Sequence, residues 1–149
     1  MEKYLDLLQT LFNVCGYYII FYVILVFNEQ FQKIKISKQL YIVKNIVKSW
    51  ILLYIAIYAS IDFYKYIVTN EIDMNLIYHY ASTYVSNDIL ALILVPNLPY
   101  TTRIHHMITS LFLLYTLNID YNEITNVGHL LFIYTLFSSY TFLVNFYLG

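Results

Sequence analysis

The chain has 149 residues, of which 60% are hydrophobic and only 11% charged, with a net charge of −1 and a mean hydropathy of +0.62. Soluble domains carry about 25% charged residues, so this much apolar surface has no aqueous solution, and the composition predicts an all-α polytopic membrane bundle. The near-neutral charge excludes a nucleic-acid footprint, and the single cysteine excludes a disulfide framework or a cysteine-built zinc site.

The first apolar run, Leu7 to Phe27, is about 21 residues long and suffices to span a hydrocarbon core. Glu2, Lys3 and Asp6 precede it and no small-residue cleavage pattern follows, so it reads as an anchor rather than a signal peptide. Cys15, within it, reads as a small buried apolar residue. The segment from Asn28 to Lys48 is polar and basic, with Lys33, Lys35, Lys38, Lys44 and Lys48 against Glu29. It reads as a cytoplasmic positive-inside determinant or as a contact for anionic lipid head groups.

A second run covers Ser49 to Tyr64, with Tyr54, Tyr58 and Asp62 on one helical face and Asp62 at the membrane edge. The third, Leu76 to Val95, carries a polar stripe of Tyr80, Thr83, Tyr84, Asn87 and Asp88 at helical spacing, with His79 off that face at the interface. Such a stripe in lipid must face other helices or an aqueous cavity. The fourth run, Pro99 to Leu117, has Pro99 suited to a first helical position and a stripe of Thr102, His105, His106, Thr109 and Thr116. A link with Asp120 and Glu123 follows. The fifth run, Val127 to Leu148, aligns Thr135, Ser138, Phe142 and Asn145. Five spans in one domain, 1–149, are therefore expected. Placing the basic segment in the cytoplasm puts six of the eight cations there, so the N-terminus is lumenal and the C-terminus cytoplasmic.

An aspartate in the third span and two histidines in the fourth are the costly groups. An ionisable side chain near a helix centre costs roughly 2.5–3.5 kcal/mol on insertion scales and marks a functional candidate. Asp88 lies about 12 Å in from the end of its helix and His105 about 9 Å in from the same side. The short Pro96 to Pro99 link makes these helices antiparallel neighbours, so the groups can meet. A carboxylate beside an imidazole supports a general base or an acyl-transfer nucleophile, and Thr109, one turn on, can tune either ring. The same pair can equally serve as polar glue between helices. Two adjacent histidines and one aspartate are few ligands for a metal, and none is expected.

Tyr84-x-x-x-Asp88, followed after sixteen residues by His105-His106-x-x-Thr109, resembles the core of the TLC (TRAM/Lag/CLN-type) family. Lys35-Ile-Ser-Lys38 with Tyr41-x-x-Lys44 is similar to the family's polar entry segment. Leu136 to Asn145 is similar to its late segment, with Ser139, Phe142 and Asn145 matching and the usual glutamate and proline absent. The resemblance implies a helical membrane domain with a lipid-sized cavity, whose members include ceramide synthases, transport receptors and modulators of lipid composition. The second His-Asp-x-x-Asp motif of the ceramide synthases has no counterpart near Thr135 to Tyr140. Lipid binding or sensing is therefore the favoured expectation, lined by Tyr84, Asn87, Asp88, His105, His106, Thr109, Ser138 and Asn145. Acyl transfer from acyl-CoA, with Asp88 supporting His105 or His106, is the alternative, and a purely structural or trafficking role the third. No cofactor is expected, and membrane lipids are the expected partners. Family members continue past the position of Asn145, which implies that a second copy or partner helices complete the bundle. The resemblance places it in the endoplasmic reticulum or a related host membrane. The excess of Tyr, Ile, Asn and Lys suggests an AT-rich gene, such as that of a large DNA virus or a parasite.

Overall fold

The computed structural model describes residues 2–71, 73–118 and 125–149; Asp120 and Glu123 lie outside them. Among the described residues every regular element is a helix: α1 (Glu2–Val26), α2 (Glu29–Gln32), α3 (Ile36–Thr69), α4 (Met74–Leu94), α5 (Tyr100–Leu117), α6 (Thr125–Ser139) and α7 (Phe142–Leu148).

The boundaries have local causes. The Asn28 side chain accepts from the N–H groups of Gln30 and Phe31 and starts α2. Asn70, at φ 59°, closes α3 in the left-handed conformation, its N–H returned to the Tyr66 carbonyl. Asp73 caps α4 through the Asn75 N–H. Val95 leaves the helix because the following Pro96 disfavours helical backbone before it. Pro99 occupies the cap position of α5, one residue before the first turn where it was expected.

Two expectations are corrected. The basic segment is largely helix: α3 begins at Ile36 and runs 34 residues, about 50 Å at 1.5 Å per residue. No glycine or proline lies between Gly16 and Pro96, and Leu40, Val43 and Val47 continue the apolar face of the second span upstream, so nothing halts the helix. Lys33, Lys35 and Lys38 stay exposed, whereas Lys44 and Lys48 are carried into the core. The fifth run is broken, with α6 and α7 meeting at 45°. At the break the Ser139 and Thr141 hydroxyls donate to the carbonyls of Leu136 and Ser138, the kind of side-chain competition that bends helices without proline.

Side-chain pairs give the helix directions. Lys3–Tyr78, Thr10–Ser86 and Tyr18–Asn87 run α1 parallel to α4. Lys48–Asp88 and Asp62–Tyr80 run α3 antiparallel to it. Phe63–Phe132 and Ser60–Tyr140 lay α6 antiparallel to α3, and Asn45 donates to the Leu148 carbonyl where α7 continues along α3.

α4 is the centre, packed against α1, α3, α5 and α6. It buries Tyr80, Ser82, Tyr84, Ser86, Asn87 and Asp88, while α1 turns Leu5, Leu8, Phe12, Ile19, Ile20 and Val23 outward. Polar inside and apolar outside is the arrangement hydrocarbon surroundings demand. α1 and α3 are long and apolar enough to cross a membrane, and the bent α6–α7 pair makes a third if it counts as one span. α4 and α5 do not reach that apolarity, because their stripes replace apolar residues with Tyr, Thr, Asn, Asp and His.

Candidate functional site

Asp88 is completely buried, and three helices converge on it. The ammonium of Lys48, from α3, lies 2.6 Å from Oδ1. It also donates to the Tyr84 carbonyl at 3.2 Å and sits 3.5 Å from the centroid of the Tyr84 ring, a cation–π contact. From α5, Thr109 donates to Oδ2 at 3.0 Å. His106 Nδ1 stands 3.1 Å from Oδ1, but off the direction of a ring N–H bond, so both ring nitrogens are buried without a directed partner.

Lys44 is also buried, one turn before Lys48. Its ammonium donates to Asn45 Oδ1 at 2.8 Å and lies 5.2 Å from the Tyr41 ring centroid. Among the described residues the interior therefore holds two ammonium groups against one carboxylate. Charge placed in a low-dielectric interior is tolerated only when paired and hydrogen-bonded, and Lys44 has only neutral partners.

The other residues expected at the site divide. His105 is exposed at its edge, its ring 5.6 Å from that of His106. Ser138 lies with Tyr134 within reach of the Tyr84 hydroxyl. Asn87 belongs to a different face of α4, where Tyr18 of α1 donates to its Oδ1 at 3.0 Å and its Nδ2 is unpartnered. Asn145 is not brought to the site: its amide donates to the Thr141 carbonyl within the last helical segment. Asp88, His105 and His106 each offer one ligand atom within 4.8 Å of the others, a spacing an ion can bridge. The Lys48 ammonium already supplies a cation at that carboxylate.

Lys48 and Lys44 were absent from the expected site. Their signal was readable: four residues apart, they share one face of a run with no helix breaker. A separate cavity of about 500 Å³ lies between α1, α3 and α4.

No protein family, curated protein or solved structure matches this chain.

Proposed function

We propose that this is a multi-pass membrane protein of TLC type, crossing the bilayer five times, that binds or senses an anionic-headed lipid at the Lys44–Lys48–Asp88–His106 cluster. The supporting observation is the buried excess of positive charge beside the exposed His105. A phosphate or carboxylate at that edge would compensate Lys44, which has no ionic partner among the described residues. The lipid's chains would leave along the outward apolar faces of α5 and α6. Five passes follow if α4 and α5, shielded by α1, α3 and α6, cross with their polar stripes turned inward, as their burial pattern favours. In that orientation Lys33, Lys35, Lys38 and Arg103 lie on the cytoplasmic side, consistent with the positive-inside rule.

The test is mass spectrometry of lipid retained by detergent-purified protein. Lys44→Met and the double change His105→Ala, His106→Ala should each deplete anionic lipid relative to zwitterionic lipid. Retention unchanged in both would reject the reading.

A second reading is favoured by one observation. His106 Nδ1 stands 3.1 Å from the Asp88 carboxylate, so a rotation of the ring that directs its N–H at Oδ1 would turn Nε2 away to serve as the base of an acyl-transfer dyad. Incubation with long-chain acyl-CoA and a sphingoid base or lipid alcohol should then yield an acylated product; none across several acceptors removes it.

A further inference from the structure

The opposite face of α4 borders a separate groove. It is walled by α1 and α3, floored by His79 and Thr83 of α4, open along one side, and has a volume of about 500 Å³. That volume falls within the range of small-molecule sites. Along α1 it runs from Thr10 to Phe21, twelve residues separated by eleven rises, about 16 Å of helix. Half of a hydrocarbon core is about 15 Å, so the groove is as long as one acyl chain of one leaflet. Its walls are mainly Val14, Tyr17, Phe21, Val47 and Ile51, suited to an alkyl chain.

The polar groups lining it are not all satisfied. Thr10 is engaged with the Leu7 carbonyl and with Ser86, and His79 with Asp6 at 3.0 Å. The Thr83 hydroxyl is buried with no partner. Asn13 is exposed and makes no hydrogen bond among the described residues, although it sits in the middle of a helix long and apolar enough to cross a membrane. An unpaired amide facing hydrocarbon is costly. Both groups are neutral, and each can donate and accept.

We propose that this groove binds a single-chain neutral lipid with an amide or ester link, its chain lying toward Phe21 and its carbonyl taken by Asn13 and Thr83. The site is independent of the Asp88 cluster and stands whether or not that cluster binds lipid. A carbonyl group satisfies the Asn13 amide and the Thr83 hydroxyl as an acceptor; an amide link adds a donor for their oxygens. Neither residue offers a charge to hold a carboxylate or phosphate.

Photolabelling of the full chain in nanodiscs tests this. The probe is a diazirine- and alkyne-bearing C16 N-acylethanolamine, run beside the corresponding methyl ester, the C16 fatty acid and an alkane of the same length. Adducts are located by peptide mass spectrometry. The amide or ester probe should label the Tyr17–Phe21 and Val47–Ile51 segments and be displaced by excess unlabelled compound. Asn13→Leu and Thr83→Val should each reduce displaceable labelling roughly five-fold, the worth of one hydrogen bond. The conservative Asn13→Gln and Thr83→Ser should retain most of it, which separates lost binding from a failed fold. Labelling spread over all outward faces, equal labelling by the alkane, preferential labelling by the fatty acid, or no response to either polar substitution would overturn the proposal.

Discussion

Replacing Asp88 by Asn keeps the shape of the side chain and removes its charge, so it isolates the ion pair. Lys48 then stays buried without its carboxylate at 2.6 Å. Removing one partner of a buried pair costs about 3–5 kcal/mol, because the remaining charge is uncompensated. Here two contacts persist, the Tyr84 carbonyl at 3.2 Å and the Tyr84 ring at 3.5 Å, and a desolvated cation–π contact is worth up to about 2 kcal/mol. Thr109 loses Asp88 but keeps the His106 carbonyl at 3.1 Å, so its share is small. The expected loss is about 3 kcal/mol, a factor of roughly 100 or more in the folding equilibrium. Lys48→Met should cost more, since Asp88 is fully buried and keeps one neutral hydroxyl and an imidazole. The double variant Lys48→Met, Asp88→Leu should recover most of the loss, because an apolar pair of similar volume is often neutral or better. Reversible unfolding in mixed micelles, followed by the fluorescence of the sole tryptophan, Trp50, measures all three. If Asp88→Asn costs under about 1 kcal/mol, or the double variant is no better than the singles, the carboxylate is solvated and the pairing argument fails.

His106→Ala should destabilise by about 2–3 kcal/mol, because it empties a buried site beside Asp88, whereas His105→Ala, at an exposed edge, should stay within about 0.5 kcal/mol; thermal unfolding of the two variants compares them directly. Tyr18→Phe should cost about 1–2 kcal/mol, since it leaves the buried Asn87 amide with no partner at Oδ1 as well as at Nδ2, read in the same denaturation series. Gly16→Ala should stabilise by about 0.5–1 kcal/mol, because an added Cβ meets no atom within 4 Å in the middle of a helix; a loss there would mean that another helix packs on this face. His79→Gln should change stability by less than about 1 kcal/mol, as its pair with Asp6 is partly exposed.

Much of the fold is legible in the residues. Helical spacing without breakers specifies α4 and α5 to within two residues, although α1 starts five residues before its apolar run, and the Pro96 to Pro99 link turns α4 back into α5. That Asp88 and the polar stripe of α5 lie at one depth follows from counting residues at a fixed rise. The lysines were harder. A lysine next to a span satisfies the positive-inside rule as well in a loop as in a helix, and local periodicity does not say which helix it will meet. Only packing decided that Lys44 and Lys48 face α4, where the carboxylate of Asp88 makes the inward direction the less costly one for Lys48.

The sequence by itself determined that polar faces must turn inward, because hydrocarbon offers them no partner. It did not determine how the polar stripe of α4 is divided. Tertiary structure sent Asp88 toward α3 and α5 and Asn87 toward Tyr18 of α1, since adjacent residues on a helix point about 100° apart and each face meets a different neighbour. It also took Asn145 out of the site by the bend between α6 and α7 at Ser139–Thr141, and it opened a groove between α1 and α3 that no spacing pattern marks. These outcomes depend on which side chains from distant parts of the chain can fill the same space, a property of the packed bundle and not of any one helix.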